Sequence, residues 1–248
     1  MKIFIVGASG RLGSELSKLY PDALKPTHPE LPVEDKMKIM DYIYNNKPDI
    51  VIHLAAVTSV PKCEYDKELA WKTNVMGTSN LIDACEKYSP QCYFILMSSP
   101  CIFNGEDENP KNEFTIPYPE NFYGLTKLMQ ETIVKRSNLL SLIIRSNFIP
   151  YKKFPHEKAF TDRLSNYFFA PELAKEIKNT VNKKIFGTIH IINEKILSIY
   201  DMAKLCPDSQ NVQPITLEEY YKENPNSPRL TRNMVLSSIR WNIVKNMV

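Results

Sequence analysis

The stretch Ile3-Phe-Ile-Val-Gly7-Ala-Ser9-Gly10-Arg11-Leu12-Gly13 decides the fold of this 248-residue chain. Ile3 to Val6 is a short, wholly apolar run of the kind a buried strand shows, and Leu12, Leu16 and Leu19 recur at helical spacing. The turn between them holds three of the chain's seven glycines. The first permits a tight turn, the second lets backbone approach a diphosphate, and the third lets the helix pack close to the strand. The helix amino terminus then offers free N–H groups and a partial positive charge to phosphates. Gly7, Gly10 and Gly13 are therefore expected to bind the pyrophosphate of a nicotinamide dinucleotide, with Ser9, Arg11 and Leu12 beside it.

Outward from this turn, strand and helix patterns alternate. Asp49-Ile-Val-Ile-His53 reads as a strand, and residues from about 66 to 88, with Leu69, Val75, Leu81 and Ile82, read as one long helix. Tyr93 to Met97 is a third strand, a helix covers about 121 to 136, Leu140 to Ile144 is a strand, and Ile189 to Ile192 is a late one. This alternation predicts an α/β fold, a Rossmann-type doubly wound parallel sheet that presents ligands at the carboxyl ends of its strands. Composition shifts after residue 147, toward the proline-punctuated stretch with Pro207, Pro214, Pro225 and Pro228. The expected organisation is an NAD(P)-binding domain over 1–147 and a small substrate-binding lobe over 148–248, with a returning strand near 188–192 joining the sheet.

Composition narrows the function class. Apolar residues at 43% and charged residues at 24% are ordinary for a soluble globular protein. A net charge of +3 without a basic run argues against nucleic acid as a partner. The apolar start is too short for a secretion signal, and no stretch approaches the roughly 18 apolar residues of a membrane span. Cys63, Cys85, Cys92, Cys101 and Cys206 are odd in number and form no CxxC pair, so neither a disulfide framework nor a metal site is expected. Reduced thiols in a cytoplasmic protein are the simplest reading.

Two further elements carry chemistry. Tyr123-Gly-Leu-Thr-Lys127 places a phenol and an ammonium one turn apart on one helix face. A lysine there is expected to lower the phenol's pKa, so that the tyrosine exchanges a proton with a carbonyl oxygen as hydride moves; the lysine also reaches ribose hydroxyls. Ser98-Ser99 ends the third strand, where a hydroxyl polarises a substrate carbonyl.

The G-x-x-G-x-x-G spacing resembles that of the short-chain dehydrogenase/reductase superfamily. With the Ser–Tyr–Lys set, the chain resembles its extended branch, and within that the dTDP-4-dehydrorhamnose reductases. In the segment Ser98-Ser99-Pro-Cys-Ile-Phe103-Asn-Gly105, Ser99 precedes Tyr123 by the family's interval of twenty-four residues. The resemblance thus implies Ser99, Tyr123 and Lys127 as catalytic residues. It implies Ala55, Ala56 and Asn74 as cofactor contacts, together with Tyr123 and Lys127. It also implies that Thr58 and Val60 approach the sugar and that Phe148 stacks on it. Three departures stand out: Pro32 replaces an aspartate near the adenine, where Asp35 is the substitute; Pro100-Cys101 replaces an Asp-Tyr pair; and the segment between Phe148 and Ala170 is short, where the family closes over the nucleotide sugar.

The expected activity is NAD(P)H-dependent reduction of a 4-keto-6-deoxy nucleotide sugar in deoxysugar and polysaccharide precursor biosynthesis. A non-catalytic NADP-binding regulatory subunit and a nucleotide-sugar epimerase are the alternatives. No acidic residue stands at Lys25-Pro-Thr-His28, while Arg11, Lys25 and His28 suit a 2′-phosphate, so NADP(H) is preferred and NAD(H) is the second choice. The partners expected are a nucleotide-sugar substrate, no nucleic acid, no membrane, and a second copy of the chain in a homodimer.

Overall fold

The computed structural model describes residues 1–247. Its centre is a parallel five-stranded sheet. In spatial order the strands are β1 (Ile3–Val6), β2 (Ile50–His53), β3 (Tyr93–Ser98), β4 (Leu140–Arg145) and the edge strand Gly187–His190. Each strand is almost continuously apolar because both its faces are covered. Alternation along the strand divides the side chains between two cores. Ile3, Ile5, Ile52, Ile95 and Ile144 point to one core. Phe4, Val6, Val51, Phe94, Leu96 and Ile143 point to the other.

The first core is closed by α1 (Arg11–Leu19), through Leu12 and Leu16, and by Leu173 and Ile177. The second is closed by α2 (Lys36–Asn46), through Ile39 and Ile43, by Leu81 and Ile82, and by Val134. Full burial of each such side chain is worth about 1.5–3 kcal/mol, so the sheet and its two helical layers stabilise one another.

The chain runs from β1 through α1 to Leu24, which bridges to Phe4 on the outer side of β1. Leu24 exchanges hydrogen bonds with Ile3 O and Ile5 N at 2.8 and 2.9 Å. The chain then crosses to β2 on the opposite side of β1. The strand order therefore reverses between β1 and β2, and ligands in such sheets bind at that crevice. The glycine turn and Leu54-Ala55-Ala56 both leave their strands there.

The long helix expected over 66–88 is interrupted. After α3 (Val60–Tyr65), α4 spans Lys67–Ala70, a π-helical turn spans Trp71–Met76, and α5 spans Gly77–Tyr88. α6 covers Phe122–Arg136. Apolar periodicity alone does not distinguish a continuous helix from one carrying a wider turn.

Beyond β4 the chain builds small sheets: Asn147–Ile149 with Tyr167–Phe169, Lys158–Phe160 with Gln213–Ile215, and Leu164–Ser165 between Leu197–Ser198 and Asn233–Met234. Two parts of this second half return to the sheet. α7 (Ala170–Asn182) packs on α1, and Gly187–His190 pairs with β4 two residues earlier than the strand expected at Ile189–Ile192. Trp241 and Val244 also join the first core. All five cysteines are free and buried, and no described helix is long and apolar enough to cross a membrane.

Candidate active site

The glycine turn shows why three positions lack a side chain. Gly7 has φ +85°, and a Cβ there would lie 2.7 Å from the Ala55 backbone nitrogen. A Cβ on Gly13 would lie 2.2 Å from Gly7 O. Gly10 differs, since its Cβ would meet only Gly7 O, at 3.2 Å. Its outer side opens to the cleft. Gly10 also caps α1 without a side-chain hydrogen bond, and no acidic residue occupies the first turn. A bare helix amino terminus facing a glycine cradle fits a pyrophosphate, so the residues present fit the dinucleotide.

The cleft runs from this turn across the carboxyl ends of the strands to the small sheets built beyond β4 and encloses about 890 Å³. Gly7, Gly10, Arg11, Leu12 and Gly13 line one end. Ala56, Thr58, Val60, Ser99, Tyr123, Lys127 and Phe148 also line it, so most of the expected site residues meet there. Ser9 sits exposed on the turn.

Strand geometry separates the two serines. Ser98 Oγ donates to Glu131 Oε1 at 2.7 Å inside the protein. Successive strand residues face opposite ways, so Ser99 turns toward the cleft. Its Oγ accepts from Cys101 N at 3.2 Å, which starts the short 3-10 turn Pro100–Ile102.

Tyr123 and Lys127 stand on one face of α6, which Asn121 caps by accepting from Gly124 N at 2.9 Å. A Cβ on Gly124 would lie 2.2 Å from Cys101 O, so this helix approaches the Ser99 turn closely. Burial pushes the Tyr123 phenol well up, and the Ser99 hydroxyl beside it pulls the other way. The expected lowering by Lys127 is absent from the causes of this shift: loss of water around the phenol sets its direction. Lys127 Nζ donates to Met97 O at 2.7 Å, and burial pulls its ammonium down to about 8, against the opposing carboxylate of Glu131.

Behind the site lies a buried ion pair. Arg145 Nε and Nη2 donate to Glu131 Oε1 and Oε2 at 2.8 and 2.7 Å, and Nη1 lies 3.2 Å from His190 Nε2. Burial opposes ionisation of Glu131, but Arg145, Lys135 and Ser98 together hold its carboxyl below the usual range.

Two expected cofactor contacts take other roles. Asn74 is fully buried in the π-helical turn and does not line the cleft. Its Oδ1 accepts from Val57 N at 2.7 Å, and its Nδ2 donates to Val57 O and Thr126 Oγ1 at 3.1 and 2.9 Å. With both amide donors and one lone pair of its oxygen used, Asn74 positions the 54–58 loop against α6. Ala55 packs on Gly7, leaving Ala56 as the cleft-facing alanine.

At the adenine end, Asp35 caps α2 by accepting from Lys38 N at 3.1 Å. Of the three cations that suit a 2′-phosphate, Lys25 donates to Pro21 O at 2.6 Å and His28 pairs with Glu34 at 3.0 Å. Arg11 lines the cleft and is exposed, with no carboxylate partner among the described residues. Sequence reasoning did not find Ser146, Arg163, Tyr167 and Met234, which also line the cleft. They sit in segments without a helical or strand period.

Known proteins share this architecture. Residues 1–168 match the family model described as the RmlD substrate binding domain. The chain is 26% identical to the spore coat polysaccharide biosynthesis protein SpsK of Bacillus subtilis, covering 90% of this chain and 86% of that protein. It is 25% identical to the dTDP-4-dehydrorhamnose reductase of Aggregatibacter actinomycetemcomitans, over 82% of this chain and 76% of the relative. A solved dTDP-4-dehydrorhamnose reductase from Clostridium acetobutylicum superposes with a TM-score of 0.84 at 27% identity, over 96% of this chain and 90% of that one.

Proposed function

Because this chain belongs to the RmlD substrate-binding-domain family, we propose that it is an NADPH-dependent reductase of a 4-keto-6-deoxy nucleotide sugar. The observation that carries this reading is that Ser99, Tyr123 and Lys127 line the same cleft as the glycine turn. A regulatory binder needs the turn, but it has no need for a buried phenol and ammonium beside a strand-end hydroxyl.

Bound NADPH supplies the hydride. Ser99 holds and polarises the sugar's 4-keto oxygen. Tyr123 gives its proton to that oxygen as the carbon is reduced, and its burial favours this by keeping the phenol protonated at neutral pH. Lys127 keeps one N–H on Met97 O and has two more for ribose hydroxyls. The apolar wall around Phe148 excludes water and packs on the sugar.

NADP(H) is favoured over NAD(H) because Arg11 faces the cleft with no carboxylate partner among the described residues. The five free cysteines support a cytoplasmic setting. Cofactor contacts at Ala56 and substrate contacts at Thr58, Val60 and Phe148 belong to the same reading, as does a homodimer, which light scattering tests.

The deciding assay is NADPH oxidation with dTDP- or UDP-4-keto-6-deoxyglucose. Consumption of NADPH matched by formation of a 6-deoxyhexose nucleotide is the expected result. A protein that binds NADPH and turns over no 4-keto sugar nucleotide is instead a binding subunit.

A further inference from the structure

The lobe side of the cleft is lined by two long cations, Lys158 and Arg163. Lys158 is paired with Glu223 at 2.6 Å, and Glu223 is the only carboxylate residue lining the cleft among those described. Arg163 has no carboxylate partner among the described residues. It is half-buried, and its guanidinium carbon lies 5.3 Å from the Phe160 ring centre. Its Nε donates to Thr231 O at 3.0 Å, and its Nη2 meets only the Met234 sulfur, at 3.7 Å. A thioether is a weak acceptor, so most of the five N–H donors of this fork are unspent. The ring and the carbonyl nevertheless fix its plane.

Two hydroxyls on the same wall are also unspent. Tyr167 and Ser146 line the cleft, are each 3% exposed, and have no hydrogen-bond partner for their side-chain oxygens among the described residues. Tyr167 packs in one cluster with Tyr123 and Met234, and the charge of Arg163 acts on its phenol. Buried hydroxyls without partners and a held guanidinium without an anion are costly in a protein alone. They become favourable when a ligand brings acceptors. With the lone carboxylate neutralised by Lys158, the field of this wall is positive. A planar fork of this kind matches the paired oxygens of a diphosphate.

We propose that Arg163 anchors the diphosphate of the nucleotide-sugar substrate, with Tyr167 and Ser146 hydrogen-bonding the portion between that diphosphate and Tyr123. This rests on the reductase reading for the identity of the ligand, but its test does not require turnover. Arg163 and Tyr167 fall in the short segment between Phe148 and Ala170, so this anchor belongs to the compact lobe of this chain.

Binding of dTDP, UDP and GDP, each against its own nucleoside, is measured by calorimetry on the full chain saturated with NADPH, which keeps these probes out of the cofactor's pyrophosphate site. At least one diphosphate should bind more tightly than its nucleoside. Arg163→Gln should weaken that diphosphate about ten- to hundredfold, the worth of charge-assisted hydrogen bonds. Nucleoside and NADPH affinities should stay unchanged. Equal loss for nucleoside and diphosphate would make Arg163 a structural staple of the lobe and overturn the proposal, as would no loss at all. Should Arg163→Gln fail to fold, the wild-type protein still decides: the diphosphate preference must exist and shrink with added salt, and its absence for all three nucleotides overturns the proposal. Diphosphate binding lost in the variant, without turnover of any keto sugar in the wild type, would reject the reductase reading and leave the anchor standing.

Discussion

Lys127 Nζ donates a 2.7 Å hydrogen bond to the carbonyl oxygen of Met97, one residue before the Ser98-Ser99 pair. α6 is thereby tied to the strand end that leads into Ser99. The same ammonium is buried, and burial pulls it down to about 8, while Glu131 one turn further along α6 resists the shift. The reductase reading uses the charged form, whose three N–H groups serve Met97 O and two ribose hydroxyls together and whose charge favours the phenolate left on Tyr123. The reductive kcat/KM should therefore fall as pH rises through about 8. Glu131→Gln removes the resisting charge and should move that fall to lower pH. A pH–rate profile flat from about pH 7 to about pH 10 would refute the assignment.

Tyr123→Phe removes only the proton donor. The rate should drop by about 10²- to 10⁴-fold, the usual contribution of a positioned acid, while NADPH affinity stays near that of the wild type. Retention of wild-type turnover in single-turnover kinetics would move the acid to another residue.

Ser98 and Ser99 are adjacent but should fail differently. Ser98→Ala leaves a buried oxygen of Glu131 short of one donor, which costs about 1–3 kcal/mol of stability, with little change in kcat once folded. Ser99→Ala removes the cap of the Pro100–Ile102 turn, which costs about 1 kcal/mol of stability, and in contrast to Ser98→Ala should cost about 10²-fold or more in kcat, as for loss of one donor to a developing oxyanion. Chemical denaturation and steady-state kinetics on both variants check the split, and a reversed pattern would contradict the strand's facing.

Gly13→Ala and Gly10→Ala form a matched pair. A Cβ at 2.2 Å from Gly7 O has to push backbone, so Gly13→Ala should destabilise by about 2 kcal/mol or more and abolish cofactor binding. Gly10→Ala meets only one atom, at 3.2 Å, and should fold. Its methyl then occupies the phosphate's space, so NADPH binding should weaken by about tenfold or more at a near-normal Tm. Unchanged NADPH affinity in Gly10→Ala would place the pyrophosphate elsewhere.

Acid stability should report two histidines. Burial, helped by Lys127, pulls His53 down to about 3, and burial with Arg145 pulls His190 down to about 4. Both folded values lie below the unfolded value of about 6.5, so between these limits the unfolded chain binds more protons. Stability is then lost as pH falls below about 6.5, at up to roughly 1.4 kcal/mol per pH unit for each histidine. His53→Asn should flatten part of this slope in denaturation measured at several pH values, and an unchanged slope would mean that His53 is not buried neutral.

The legible part of this protein is local. Ile3 to Gly13 encodes strand, turn and helix within eleven residues, and Tyr123 and Lys127 need only one helical turn to share a face. Such signals survive in a sequence because backbone period and sterics act over a few residues. Ser99 was readable from its place at a strand end and its interval to Tyr123, although only the alternation of β3 against the buried Glu131 shows why its neighbour is unavailable.

Contacts that join distant segments were not legible. Asn74 sits at the family's position, yet its amide is turned inward onto Val57 and Thr126, and the π-helical turn that carries it leaves no trace in the apolar period. Lys25 and His28 look like phosphate ligands until Pro21 O and Glu34 occupy them. Arg163 looks like any surface cation until Phe160, Thr231 and Met234 fix it on the cleft wall without a counter-charge. The sequence by itself determined the sheet, the glycine cradle and the Ser–Tyr–Lys set. The tertiary structure alone decided which polar groups are already satisfied and which are left for a ligand, because partnership depends on segments brought together only when the apolar cores close.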